Sequence, residues 1–207
     1  VDVIRFDPAL FADGPATILL TMGELAITDS VMIDGPGAEW LTIDAQEQSR
    51  IFNFTESTGD FSIADLTLSR GRTTGDNLST NDTTYHGGAI RSASNGVLTI
   101  ERSIVRNSSV LDLRANGGGV FTEGDVVIVS STIHDNHNLS SFVVKYGGGV
   151  FARGSALVIE SQIYENGFSG SSQGESFLGV GLGGGIYTRS QLTLNGSTVS
   201  RNNGAAI

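Results

Sequence analysis

The chain has 207 residues, a formal net charge of −10, no cysteine and a single lysine, Lys145. Nucleic acid and anionic membrane need a basic footprint, so neither is expected as the principal partner; disulfides and thiolate metal centres are excluded outright. No apolar run is long enough to span a bilayer as a helix, and 28 glycines against three prolines favour tight turns.

No secretory leader is visible, and Val1-Asp2-Val3-Ile4 already reads as a strand. The chain is therefore expected to be a piece of a longer protein. Residues 5–14, with Phe6, Pro8, Leu10 and Phe11, read as a partial cap, since an open strand edge needs cover. Short apolar alternations follow at Leu25/Ile27, Val31/Ile33, Leu41/Ile43, Ile51/Phe54, Phe61/Ile63 and Leu66/Leu68. They are broken by Gly23, Asp34-Gly35-Pro36-Gly37, Ser57-Thr58-Gly59-Asp60 and Arg70-Gly71. Period-two alternation bounded by such residues marks strands.

From residue 87 the chain repeats. The phrase Gly-Gly-(Gly/Ala)-(Ile/Val) ends at Ile90, Val120, Val150 and Ile186, at spacings of 30, 30 and 36, with a degenerate copy at Gly204-Ala205-Ala206-Ile207. Each copy is followed by an apolar pair (Leu98/Ile100, Val126/Ile128, Leu157/Ile159, Leu192/Leu194) and then by (Ile/Val)-x-x-Asn. That last phrase begins at Ile104, Ile133, Ile163 and Val199 and closes at Asn107, Asn136, Asn166 and Asn202. Three short strands in a basic unit of about 21 residues describe one rung of a parallel β-solenoid. A lone rung cannot offset its ordering entropy, so neighbours must share a core. The four asparagines are assigned to a structural ladder, because Asn accepts left-handed backbone and its amides stack between rungs. The whole chain, 1–207, is expected to form one all-β domain. Residues 1–86 supply N-terminal rungs, a cap and a long loop, and residues 87–207 the regular rungs.

The glycine phrase followed by Ile-x-x-Asn resembles the repeats of polymorphic outer membrane proteins. The run Gly23-Glu24-Leu25-Ala26-Ile27-Thr28 … Ile33-Asp34-Gly35-Pro36-Gly37-Ala38 … Leu41-Thr42-Ile43 resembles the opening of bacterial surface proteins of the CSLREA-domain type. The resemblance covers about residues 2–70 and 87–207. It implies a right-handed parallel β-helix, exported to the bacterial cell surface as an outer-membrane-associated or extracellular region of a larger protein. The Cys-containing leader and the anchor of that family have no counterpart here.

Insertions at Thr73–His86, Ser108–Asn116, His137–Tyr146 and Gly167–Leu182 are expected to leave the coil at one corner and line up along one side. Two columns then carry candidate chemistry. The residues after the glycine phrases, Arg91, Phe121, Phe151 and Tyr187, are expected to point outward. They form either a sugar-stacking platform or a row packed beneath the loops. The residues before the ladder asparagines are Arg106, Asp135, Glu165 and Arg201, with His134 and Tyr164 beside them. They read as an ionic ladder or, in an enzyme, as an acid/base pair with arginines that neutralise a uronate. His134-x-x-His137 with Asp135 is only loosely like a zinc site. Asp76 and Asp82 offer hard oxygens for calcium, but no loop spacing matches a cation motif. No metal or cofactor is therefore assigned.

Two functions remain open. One is a non-enzymatic cell-surface scaffold, adhesin-like, presenting its loops to a polysaccharide or cell-surface glycan. The other is a polysaccharide lyase or glycoside hydrolase, with Asp135 and Glu165 as acid/base. Its remaining partners are expected to be further rungs of a parent protein, or a second copy meeting the C-terminal edge.

Overall fold

The computed structural model describes residues 1–74, 83–111, 114–140, 144–168 and 180–204. They form an all-β coil of parallel strands in stacked sheets, compatible with a β-solenoid. The first sheet has seven strands: Asp2–Arg5, Val31–Asp34, Phe61–Ala64, Val97–Glu101, Asp125–Val129, Ala156–Ile159 and Leu192–Asn195. The second also has seven: Ala16–Leu19, Leu41–Asp44, Thr67–Ser69, Ile104–Arg106, Thr132–His134, Gln162–Tyr164 and Thr198–Ser200. The third has six, from Leu25–Ile27 and Phe52–Phe54 through Ile90–Ser92, Val120–Thr122 and Val150–Ala152 to Ile186–Thr188. The chain visits them in that order and returns to the first. A short corner sheet, Arg72–Thr73, Ser109–Val110 and His137–Asn138, lies in sequence between the second and third, as does the pair Val144–Tyr146 and Val180–Leu182.

Inward side chains from the three long sheets make one continuous core. Ile33, Ile63, Ile100, Ile128, Val158 and Leu194 share one register column, and Leu68, Val105, Ile133, Ile163 and Val199 another. Alternation alone turns these residues inward, and all but Leu194 and Val199 at the last strands are buried by their counterparts one strand spacing away. Phe54 stacks on Phe61 with ring centroids 4.4 Å apart. At the N-terminal end a 3₁₀ turn, Pro8–Phe11, is capped by Asp7, which accepts from the Ala9 N–H at 2.9 Å. Phe6 and Phe11 pack on the core as the partial cap requires, while Leu10 stays exposed.

Three register expectations are corrected. Val105, not Ile104, aligns with Ile133 and Ile163. Ala156 and Val158, not Leu157 and Ile159, continue the Val126/Ile128 column, which turns Leu157 and Ile159 to the outer face beside Val127 and Val129. Phe52 pairs with Phe54 as the inward couple of its strand, and Ile51 is buried just before it. The glycine-phrase column Ile90–Val120–Val150–Ile186 stands as read.

The corners explain these shifts. The bend from the first sheet to the second passes through Asp65, Arg102, Ser130, Glu160 and Gly196, all with left-handed backbone. The bend out of the second passes through Arg70, Asn107, Asp135, Glu165 and Arg201, with φ between 50° and 54°. Except at Asp65, where Leu66 follows, each left-handed residue is followed by a small or polar one, and the following residue, Leu66 included, bonds along the coil. Ser103, Ser131 and Ser161 donate their backbone N–H to the Oγ of Ser131, Ser161 and Ser197 at 3.0–3.1 Å. At the second bend Ser108, Asn136 and Asn166 donate theirs to the Oδ1 of Asn136, Asn166 and Asn202 at 2.9–3.1 Å. Asn107 is thus corrected: it holds the exposed left-handed position level with Asp135, and Ser108 takes the ladder place. The glycine phrase works differently. Gly117 has φ +69°, and a β-carbon on the next residue, Gly118, would overlap the Gly148 carbonyl oxygen, so the doubled glycine serves a turn and then a close approach.

The middle of the first insertion, with Asp76 and Asp82, lies outside the described residues, as does Ala205-Ala206-Ile207. Asn166 is 1% exposed, and its Nδ2 donates to the Ile133 and Tyr164 carbonyls and to Asn202 Oδ1. Removing it strands these buried groups. Asn166→Ala is expected to lower unfolding stability by about 3 kcal/mol. Asn107→Gly should stay within about 0.5 kcal/mol of the parent, because it only relieves left-handed backbone. Equal losses in chemical denaturation would reject this assignment of the ladder.

Candidate functional site

Outward residues of the second sheet and its bend bring the charged column together. Along the outer face run Ser69, Arg106, His134, Tyr164 and Ser200. The His134 and Tyr164 rings stack 5.0 Å apart at 10°, and the Arg201 guanidinium carbon lies 5.4 Å from the Tyr164 centroid. Beside them runs the left-handed column Asn107, Asp135, Glu165 and Arg201. Asp135 Oδ2 is 2.6 Å from His134 Nδ1, and Arg201 Nε is 2.9 Å from Glu165 Oε1. Arg106 belongs to the His134 column and not to the Asp135 column where the repeat phrase placed it, because the phrase fits its rung one residue early: Ile104 is level with Thr132, and Asn107 takes the bend position of Asp135. Its buried Nε has no hydrogen-bond partner among the described residues.

Beyond the bend, the corner sheet turns Arg72, Ser109 and His137 outward in one register column. With Glu47, Asn107, Ser108, Asp135 and Leu139 they line an open cleft of about 320 Å³. Arg72 Nη1 bonds Glu47 Oε2 at 3.1 Å, while its buried Nε is unpartnered among the described residues. Glu165 and Arg201 do not line this cleft, so the two carboxylates do not meet in one cavity. Among the described residues no three His, Cys, Asp or Glu side chains gather as a metal would require, and the His134-Asp135-His137 run is split between the outer face and the cleft. Sequence reading missed Arg72, Ser109, His137 and Glu47 as neighbours. Their common signal is position two after a left-handed residue (Arg70, Asn107, Asp135) for the first three, which is visible only once the bends are known.

The aromatic row of the third sheet is outward but covered, which corrects the sugar-platform expectation. Phe121 and Phe151 are 0% and 1% exposed, and Tyr187 is half-buried. His86, Phe121, Phe151 and Tyr187 stack in sequence at 4.5, 5.3 and 5.4 Å, with Tyr146 4.6 Å from Tyr187. The returning limbs of the insertions therefore lie on the row. Arg91 fixes one limb, donating from Nε to the Thr83 carbonyl at 2.8 Å and from Nη1 to Asn53 Oδ1 at 2.9 Å. Arg50, 2% exposed, donates to the Gly87 and Thr84 carbonyls and to Glu24. Burial pushes its guanidinium down to about 10, against the opposing pull of Glu24.

His86 sits at the end of this row and accepts the Asn116 N–H on Nδ1 at 2.7 Å. Burial, reinforced by the charges of Arg153, Arg91 and Arg50, pushes its imidazole down to about 3. The unfolded chain protonates this histidine near pH 6.5, so between pH 6.5 and 3 the unfolded state holds more protons and stability falls as pH falls.

No protein-family model, curated protein or solved structure matches the chain.

Acidification from pH 6.5 to 4.5 is expected to take as much as about 2 kcal/mol through His86. His86→Gln, which keeps an acceptor for Asn116, should flatten that part of the stability–pH curve. An unchanged slope in denaturant titrations at both pH values would reject His86 as its source.

Proposed function

We propose that this chain is a right-handed parallel β-helix with three principal strands per rung, serving as a non-enzymatic scaffold at the bacterial cell surface or outside it. Its kinship would lie with polymorphic outer membrane protein repeats and CSLREA-type surface proteins, as the glycine and Ile-x-x-Asn phrases imply. One observation carries the reading: a single core and a single parallel register run through successive rungs, and in the glycine-phrase rungs the corner strands follow the second sheet and precede the third each time. A rigid axis with loops along one edge is the form a ligand-presenting surface protein needs. Leu192, Leu194 and Val199, inward in their register columns, are 40–46% exposed. That edge would accept further rungs of a parent protein or a second copy. The outer-face row His134–Tyr164, with Asp135, Glu165 and Arg201, and the corner cleft beside it are the two surfaces such a scaffold would offer to a polysaccharide or cell-surface glycan.

The corner cleft favours a second reading, a polysaccharide lyase or glycoside hydrolase that uses Asp135. In the scaffold reading, antibody against the folded chain labels intact producing cells, and the purified protein releases no product from neutral or acidic polysaccharides, with or without calcium. Labelling only after lysis would count against the surface placement. Cleavage lost in Asp135→Ala would establish the enzyme instead, and cleavage indifferent to Asp135→Ala with Glu165→Ala would remove these residues from it.

A further inference from the structure

We infer that the corner cleft is a binding site for one unit of a neutral saccharide, held by its hydroxyl groups, with Ser109 as the floor and Arg72 and His137 as opposing walls. The inference rests on the ligand-presenting reading above and assigns that reading a place and a ligand class.

The geometry begins with register. Arg72, Ser109 and His137 are level with one another on three successive strands of the corner sheet. The walls therefore stand two strand spacings apart, roughly 9–10 Å, with the smallest of the three side chains between them. A long side chain at Ser109 would close the slot. Asn107 and Asp135 border it along the bend, and Leu139 adds an apolar patch. The cleft, at about 320 Å³, is at the small end of ligand sites, suited to one ring and not to a chain segment.

The chemistry of the lining selects the ligand. Arg72 can only donate, and its Nη1 already bonds Glu47. The Glu47 and Asp135 carboxylates only accept, and each already has one partner, Arg72 for Glu47 and His134 for Asp135. Asn107 and Ser109 do both. A vicinal diol, which donates and accepts at each oxygen, matches this alternation. An acidic sugar or a phosphate would place its charge beside two carboxylates with a single arginine already engaged, in a protein of net charge −10. The Leu139 side chain offers contact to the apolar C–H face of a ring. The stacked aromatic rows lie elsewhere, so this site works by hydrogen bonding more than by stacking.

The test is titration calorimetry, paired with ligand-observed NMR, on the intact chain. The probes are hexamers of glucose, mannose and xylose, with a galacturonic acid hexamer as the acidic comparison. At least one neutral hexamer is expected to bind saturably at millimolar concentration or below, and more tightly than the galacturonate. Ser109→Phe, which fills the slot, should weaken it by about tenfold or more. Asp135→Asn keeps a residue suited to left-handed backbone and should weaken it several-fold even if Ser109→Phe fails to fold. No saturable neutral ligand, or preference for the galacturonate, overturns the proposal. So does neutral binding that both folded variants leave unchanged; that last result puts the glycan elsewhere on the molecule and leaves the ligand-presenting reading standing.

Discussion

The structure depends on what happens where one strand gives way to the next. Each strand is only two to five residues long, too short to define a sheet by itself. A left-handed residue at each of the two principal bends turns the chain, and from Ser103 and Ser108 onward the serine or asparagine after it bonds to its counterpart one rung on. These bonds lie in the interior, where an unpaired amide is costly and a paired one is strengthened by its neighbours. They fix the height of the strands in the rungs that carry them, and apolar columns then follow from alternation. Placement of the outer-face charges and of the cleft is in turn a consequence of the bends.

Much of this was legible in the chain. The glycine phrases gave the correct column at Ile90, Val120, Val150 and Ile186, but the insertion bounds took in paired strands at Ser109–Val110, His137–Asn138, Val144–Tyr146 and Val180–Leu182. What misled was the Ile-x-x-Asn phrase in its first copy. Ile104-Val105-Arg106-Asn107 fits the phrase by letter, yet Val105, Arg106 and Ser108 occupy the places of Ile133, His134 and Asn136. The serine column would have set the ruler. From Ser103 to Ser131 is 28 residues, as is Val105 to Ile133, whereas Ile104 to Ile133 is 29. Serine and asparagine are interchangeable in this role because each places an oxygen where the preceding rung's N–H needs one. Leu157 and Ile159 misled for another reason. Where both faces of a strand are aliphatic, as in Val126–Val129 and Ala156–Ile159, hydropathy carries no phase.

The covered aromatic row shows a similar limit at the level of the site. Register places Phe121, Phe151 and Tyr187 on an outer face, but the loop limbs that lie over them belong to no periodic pattern. Arg50 and Arg91 hold one such limb by its carbonyls, and His86 is buried neutral among them. The loops are thus seated on the coil by aromatic stacking and by arginine donors. The cleft lies on a different face, where the corner sheet alternates long and short side chains.

The corner ladders also have a beginning. In both, a backbone N–H of the earlier rung donates to a side-chain oxygen of the later one, while the later asparagines return donors to earlier carbonyls, as Asn136 Nδ2 does to Val105 and Asn166 Nδ2 to Ile133. Each ladder starts from a residue without a side-chain oxygen: the Leu66 and Gly71 N–H groups donate to Ser103 Oγ and Ser108 Oγ. The interior polar spine is therefore a property of the glycine-phrase rungs, and the rungs before them are held in register without it.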